Sequence, residues 1–213
     1  MYESMGTVLE HKGIGAADPG GAAHVGHLPC SDGEQPDVTP LDINETIRAL
    51  VDFFPSLLPA SVFMTADLEA GLWPVLADDA SISQVVMSLL VSAKDAMPDG
   101  GELTVTTENL AMDEESWRGI PDVRPGEWVC VTVSDTGVGM DEDTVARALE
   151  PGRTTAEAGE CCAAGLAAAR VIAEQHGGWL SIYTKPGHGA VVSIYFPRCL
   201  AEREAGCPRR ISP

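Results

Sequence analysis

Four polar side chains recur along an otherwise apolar segment between residues 81 and 97. Steps of four and three residues separate them, so on a helix they would share one face. They are Gln84, Ser88, Ser92 and Asp95. A polar row on an apolar helix either faces solvent or lines a binding site, and the spacing alone leaves both interpretations open.

A glycine-rich loop follows a segment with the composition of a buried strand. The loop runs from Ser134 to Met140 and contains Asp135, Gly137 and Gly139. Glycine lets a backbone approach a ligand closely, and a carboxylate at the end of a strand can accept a hydrogen bond from an exocyclic amine. A single Asp-x-Gly-x-Gly sequence is a weak signal, however, because most such sequences are turns.

The six cysteines give no metal-binding pattern. None belongs to a Cys-x-x-Cys pair, and the adjacent Cys161 and Cys162 cannot both ligate one metal ion comfortably. Reduced thiols in a cytosolic protein are the simpler interpretation. The sequence begins without the features of a signal peptide and contains no apolar run of bilayer length. We therefore predict a cytoplasmic protein without membrane insertion.

The composition describes an acidic globular protein. The chain has 213 residues, of which 45% are hydrophobic, enough for one domain with a sizeable core. Its 32 acidic and 13 basic residues give a net charge of −19. A surface this acidic repels phosphate backbones and anionic lipids, so nucleic acids and membrane surfaces are excluded as expected partners. A nucleotide pocket would have to overcome the same field locally.

The elements that must position these residues follow from apolar spacing and turn residues. Helices are predicted at residues 42–54, from Asp78 or Asp79 to Met97, at 141–149 and at 165–175. Strands are predicted at residues 62–65, 73–76, 102–107 and 128–133, followed by a hairpin that pairs 179–183 with 190–196. Because these elements do not alternate as βαβ units, we predict an α+β domain, a two-layer sandwich with helices on one face of a mixed sheet.

Three segments divide the chain. Residues 1–40 are expected to be poorly ordered, since glycine, alanine, proline and aspartate dominate much of this stretch without apolar periodicity. Residues 41–197 form the predicted domain, and within it residues 150–164 are expected to be a mobile loop. Residues 198–213 are expected to be a loose, charged tail.

The motifs, taken together and in order, resemble the catalytic, ATP-binding domain of bacterial sensor histidine kinases. That domain belongs to a superfamily with DNA gyrase, a heat-shock chaperone and the mismatch-repair ATPases. The resemblance extends from about Leu41 to Pro197. It is carried by residues 84–101, 135–140, 150–151, 154–155, 165–167, 176–178 and 185–189. It implies the Bergerat, or histidine-kinase ATPase, fold and a place in two-component signal transduction.

The resemblance also implies a site for ATP between the Ser88 helix and a flexible lid at residues 150–164. Asp135 would accept the adenine amino group, and Gly137 and Gly139 would let the chain pass close to the base and ribose. Gly165 would begin a helix whose N-terminus faces the phosphates. The other implied nucleotide-binding residues are Met140, Ser88, Ser92, Asp95, Thr155 and Leu166, with Ser92 at the metal position.

The chain departs from the family pattern at the metal position. The family has asparagine in place of both Ser88 and Ser92, and the second asparagine holds Mg²⁺ through its amide oxygen. A serine hydroxyl is shorter and is a poorer donor when un-ionised, so we expect the metal to be held loosely or lost. Asp95, one turn further along, is an anionic side chain that could compensate.

The chain also departs from the family pattern around the phosphates. The family's Gly-x-Gly-x-Gly-Leu run aligns with residues 161–166, where Gly165 is the one glycine retained. Each added Cβ removes conformations that wrap phosphates tightly. The threonine that supports the adenine carboxylate in the family is replaced by Ala190. The family's residues are thus partly retained at the adenine end of the site and largely replaced at the phosphate and metal end.

Two functions and one neutral alternative remain open. The chain is predicted to be a degenerate kinase domain with weak or absent ATP binding that contacts a histidine kinase, a response regulator or a phosphotransfer protein. The family's phosphoacceptor hairpin is not seen ahead of Leu41, which favours this function. The second is an active kinase that phosphorylates a histidine or serine of a partner in trans, which the retained Asp135, Gly137 and Gly139 support. Lys94 or Arg153 could replace metal charge there, although solvated surface positions are the expectation for both. The third is a drifting gene product. In each case no side chain is predicted to be a nucleophile.

Overall fold

The computed structural model describes residues 38–112, 125–149 and 161–200. The α-helices are α1 (Ile43–Phe53), α2 (Asp79–Asp95), α3 (Glu142–Ala148) and α4 (Cys161–Gln175), and a 3-10 turn at Phe54–Leu57 follows α1. The strands are β1 (Thr39–Leu41), β2 (Val62–Leu68), β3 (Val75–Ala77), β4 (Gly101–Met112), β5 (Gly126–Asp135), β6 (Trp179–Thr184) and β7 (Ala190–Pro197). None of the helices within these ranges is both long and apolar enough to cross a membrane.

A mixed sheet of five strands forms one layer of the domain. Its strand order is β2-β4-β5-β7-β6, with β2 parallel to β4 and all other neighbours antiparallel. Strands β1 and β3 form a separate antiparallel pair. The predicted α+β architecture with a mixed sheet is confirmed, and so is the final hairpin.

Alternating side chains on the sheet build the core against the helices. On the central strand β5, Val129, Val131 and Val133 are at most 2% exposed. Successive side chains of a strand point to opposite faces, so these three valines share the helix-facing layer. Val85 and Leu89 on α2 belong to the same buried cluster. The end of β5 that carries Asp135 therefore adjoins the buried core.

Aspartates begin three of the helices, because their short carboxylates accept hydrogen bonds from otherwise unpaired N–H groups of the first turn. Asp42 caps α1 and Asp141 caps α3. Of the two candidates for α2, Asp78 is the cap, and its carboxylate accepts from the N–H of Ser81 at 2.8 Å. This bond fixes where the polar row of α2 begins.

Helix α4 begins earlier than predicted. The sequence predicted a start at Gly165, whereas the helix starts at Cys161. Alanine is the strongest helix former, and residues 163–164 are alanines where the family pattern has a glycine. The predicted loop therefore loses its last four residues to the helix. Its remainder, including Arg153 and Thr155, lies outside the described residues.

Residues on either side of the predicted domain, 41–197, make backbone hydrogen bonds with it. Thr39–Leu41 pairs with β3, although three residues are too few to show alternation. At the other end, the N–H of Arg198 donates to the carbonyl of Glu127 at 2.9 Å, and the N–H of Cys199 donates to that of Pro74 at 2.7 Å. The guanidinium of Arg198 lies 4.6 Å from the centre of the Trp73 ring. Residues 1–37 and 201–213 lie outside the described residues.

Candidate nucleotide site

A small cavity of about 50 Å³ opens where α2 and α4 meet the end of β5. Most of its walls are aliphatic side chains from α2, β5, α4 and β7. Half of the site residues predicted from the sequence line it. These are Ser92, Asp135, Gly139, Met140 and Leu166.

Asp135 is the charged group of the cavity. It is the last residue of β5 and is 8% exposed. Its Oδ1 accepts a hydrogen bond from the N–H of Gly137 at 2.8 Å. Burial raises the pKa of this carboxyl group above its ordinary value of 3.8, and the backbone N–H groups of Gly137 and Ala190 partly oppose that shift. A buried carboxylate among apolar walls can accept a hydrogen bond from an amine.

The polar row on α2 meets both the cavity and the solvent. Ser92 is 9% exposed and lines the cavity, and Ser88 is half-buried. Gln84 and Asp95, at the two ends of the row, are exposed. The middle of the row therefore borders the cavity at Ser92, whereas its two ends face solvent.

The carboxylate of Asp95 is paired with Lys94, the preceding residue of α2. The ion pair has 3.3 Å between the Lys94 Nζ and the Asp95 Oδ1. Both side chains are about one third exposed, at 32% and 30%. Asp95 does not line the cavity, although it shares the face of Ser92.

Gly165 lies at a contact between helices. It is in the second turn of α4, and a Cβ added there would lie 2.8 Å from the carbonyl oxygen of Ser88. Glycine thus lets α4 rest directly on the backbone of α2. The expectation that Gly165 begins this helix was wrong, because the helix already starts at Cys161.

Gly137 and Gly139 bring the loop close to other parts of the protein. A Cβ on Gly137 would lie 2.3 Å from the carbonyl oxygen of Ala96, at the end of α2. Gly139 has a φ of 64°, and a Cβ there would lie 2.1 Å from the carbonyl oxygen of Lys185. The structure therefore gives both glycines a role in the fold that involves no ligand. The predicted approach to a base and ribose remains a prediction.

Hydrogen bonds fasten the same loop on two sides. The N–H of Val138 donates to the Ala96 carbonyl at 2.9 Å, and the N–H of Gly187 donates to the Val138 carbonyl at 2.7 Å. The N–H of Met140 donates to the Thr184 hydroxyl, which donates to the carbonyl of Gly189. Thr184 was not singled out from the sequence, because a threonine at the end of a strand carries no special signal.

The side-chain oxygens that line the cavity belong to Ser92 and Asp135. Its lining residues, as far as the chain is described, include no lysine, arginine or histidine. Within the described ranges, no group of three histidine, cysteine, aspartate or glutamate side chains comes together as a metal site would require. The cavity therefore offers one buried carboxylate, one hydroxyl and otherwise mainly apolar contacts.

The sheet backed by helices carries a cavity lined by a carboxylate and a glycine loop, as the resemblance to histidine-kinase ATPase domains implied. The family described as "Histidine kinase-, DNA gyrase B-, and HSP90-like ATPase" matches residues 77–199, more than half of the chain. The chain belongs to this family. Domains of this family generally bind ATP with Mg²⁺.

Relatives of this chain include two named kinases. The chain is 32% identical over 165 residues to the sensor kinase CckA of Brucella abortus, covering 78% of this chain and 18% of CckA. It is 31% identical over 138 residues to sporulation kinase E of Bacillus subtilis, covering 65% of this chain and 16% of that kinase. The chain thus spans less than a fifth of the length of these relatives.

Solved structures show the same fold. The catalytic domain of the histidine kinase ThkA superposes with a TM-score of 0.59 at 22% identity, covering 76% of this chain and 97% of that domain. The chain is therefore a histidine-kinase-like ATPase domain of the kind found in two-component sensor kinases.

Proposed function

We propose that this chain has a degenerate Mg-ATP site and acts in two-component signalling by regulating or contacting a partner, without transferring phosphate. One observation carries the proposal. The adenine end of the cavity has its buried carboxylate, Asp135, whereas the metal end has the hydroxyl of Ser92 in place of an amide oxygen.

The adenine end is built to recognise a base. Asp135 is held in place by the N–H of Gly137 at 2.8 Å, so its orientation does not depend on a ligand. Leu89, Val133 and Val192 supply apolar surface beside it. A purine ring can stack its faces against such surfaces while its exocyclic amine donates to the carboxylate.

The metal end does not fit Mg²⁺. This ion requires near-ideal octahedral geometry with well-placed oxygen ligands, and carboxylates usually supply the protein part. Ser92 offers a short, un-ionised hydroxyl. The carboxylate of Asp95, on the same helix, is paired with Lys94 and lies outside the cavity lining. We therefore derive no phosphoryl transfer through a metal ion at this site.

The relatives support the proposed class of partner. CckA is a sensor kinase and sporulation kinase E is named as a kinase, so the family context is phosphotransfer signalling. A chain that keeps this fold but transfers no phosphate would act by contact. The proposed partner is a histidine kinase, a response regulator or a phosphotransfer protein.

Restoring the family's asparagines tests the proposal. We expect Ser88→Asn with Ser92→Asn to make ATP binding dependent on Mg²⁺, with a gain of roughly tenfold, or about 1.4 kcal/mol, on adding the metal. The unmodified chain should show no such gain. Calorimetric titration of ATP with Mg²⁺ and with EDTA measures both.

Ser181→Asn is the matched control, because Ser181 is exposed on β6 and lies outside the cavity lining. It should leave ATP binding unchanged. An unmodified chain that already binds ATP in a Mg²⁺-dependent way would contradict the proposal. It would favour the second candidate, a kinase acting in trans, which the buried Asp135 also supports. Transfer of labelled phosphate from ATP to a partner protein would then be the decisive assay.

A further inference from the structure

We propose that the preferred ligand of this cavity is the unphosphorylated adenine nucleoside, and that affinity falls with each phosphate added to it. The inference rests on the proposed function, which leaves recognition to the adenine end of the site. It goes further, because it assigns a ligand class that differs from a nucleoside triphosphate.

The cavity lining recognises a ring and offers little to a phosphate chain. Its walls are mainly aliphatic, with Leu89 and Ala93 on one side and Val133 and Val192 on another. Asp135 is its acceptor for an amine. No lysine, arginine or histidine is found among the lining residues in the described part of the chain.

Because α4 starts early, the backbone N–H groups near Gly165 are not available to a phosphate. In an α-helix, the N–H groups beyond the first turn donate to carbonyls four residues earlier, and only those of the first turn remain available to an anion. Because α4 starts at Cys161, the N–H groups of Gly165 and Leu166 are already within the helix. The free first turn lies about 6 Å further along the axis than the family pattern places it.

The contact between α2 and α4 keeps this part of the helix in place. Gly165 rests against the backbone carbonyl of Ser88, where an added Cβ would come within 2.8 Å. Leu166, the next residue, is 2% exposed and lines the cavity. The segment that would cradle phosphates in the family pattern is therefore a packed helical turn.

Charge works in the same direction. The chain carries a net charge of −19. Lys94, the nearest lysine to Ser92 along α2, is paired with Asp95. Without a tightly held cation, each added phosphate brings more negative charge into a negative field. Affinity should therefore decrease from adenosine through AMP and ADP to ATP.

The test is a calorimetric series with adenosine, AMP, ADP and ATP in EDTA, using the full chain. We expect adenosine to bind at least roughly tenfold more tightly than ATP, and the difference to shrink as salt screens the repulsion. Asp135→Ala should abolish adenosine binding. Asp67→Ala, on the exposed face of β2, is the matched control and should not change it.

A second variant tests the role of α4. Cys161→Gly with Ala163→Gly restores two glycines, which disfavour helix and free the N–H groups near Gly165. We expect this variant to bind ATP more tightly relative to adenosine than the unmodified chain does. An unchanged ratio would remove α4 from the explanation and overturn that part of the proposal.

The outcomes separate this inference from the proposed function. Tighter binding of ADP or ATP than of adenosine, without metal, would overturn the ligand class and leave the loss of the metal site intact. Absence of adenosine binding at millimolar concentration, in protein shown by circular dichroism to be folded, would overturn it as well. Strong Mg²⁺-dependent binding of ATP would overturn the proposed function itself.

Discussion

Asp135 combines two opposing influences in one carboxyl group. Burial raises its pKa above 3.8, while N–H donors from Gly137 and Ala190 favour its charged form. When the pKa of a carboxyl group is higher in the folded protein, the folded protein binds the proton more tightly than the unfolded chain does. The protonated group therefore stabilises the fold at pH values below its unfolded pKa, and this contribution is lost as the pH rises through the folded pKa. Above the folded pKa the ionised, buried group therefore costs stability, and a donor on a ligand would offset part of that cost.

A titration of Asp135 tests this balance. We expect its carboxyl carbon, followed by nuclear magnetic resonance, to titrate above the ordinary value of 3.8. Adding adenosine should lower the pKa, because an amine donor favours the ionised form. Asp135→Asn removes the resonance and assigns it. A pKa at or below the ordinary value, or one that rises with adenosine, would contradict the assignment of this side chain to base recognition.

At the scale of elements, the glycine loop at residues 134–140 is a structural joint: its backbone hydrogen bonds connect α2 to the β6–β7 hairpin. Val138 is bonded to the end of α2 through Ala96 and to the hairpin through Gly187. The close approach at Gly139 is to the backbone of Lys185. A glycine pattern typical of nucleotide sites is thus required here for packing even without a ligand. Retention of these glycines does not by itself indicate retained ATP binding.

Alanine substitutions at two glycines with similar φ angles distinguish the cost of steric crowding from the cost of a left-handed backbone. Gly139 and Gly187 have φ of 64° and 77°, but an added Cβ meets the Lys185 carbonyl at Gly139 and nothing within 4 Å at Gly187. We expect Gly187→Ala to cost about 1–2 kcal/mol from the left-handed backbone. Gly139→Ala should cost about 1–3 kcal/mol more from overpacking. Urea unfolding without nucleotide measures both, and equal losses would show that the loop is not a joint.

The sequence predicted the elements that have strong local signals. The predicted helices at residues 42–54 and 141–149 begin within one residue of α1 and α3, because Asp42 and Asp141 cap these helices. Strand β1 was missed because three residues show no period. The ordered ends at Arg198 and Cys199 depend on contacts with Glu127 and Pro74, which lie far away along the chain.

The part of the site that lies in local sequence motifs could be predicted. Asp135 and Ser92 lie in local motifs, and both line the cavity. The contribution of Thr184 depends on its hydroxyl reaching Met140, a contact between separate elements. The start of α4 was misplaced because the prediction followed the family's glycine pattern, whereas the alanines of this chain favour a longer helix.

At the scale of the whole molecule, a family fold is retained on a strongly acidic chain. Membership of the family covers residues 77–199, and the net charge of the chain is −19. An ATP site in such a field depends on cations to neutralise the phosphates. The described cavity provides a hydroxyl where the metal ligand is expected, and no basic side chain lines it. These features of the described residues are the basis of the proposed interaction role.

The most direct test is a comparison of ATP binding to the unmodified chain with saturating Mg²⁺ and with EDTA, by calorimetry at constant ionic strength. The proposed function predicts dissociation constants that agree within about twofold, or no measurable binding in either condition. A gain of tenfold or more with Mg²⁺, roughly 1.4 kcal/mol, would contradict it. Loss of that gain in Ser92→Ala or Asp95→Ala would then assign the metal ion to these side chains.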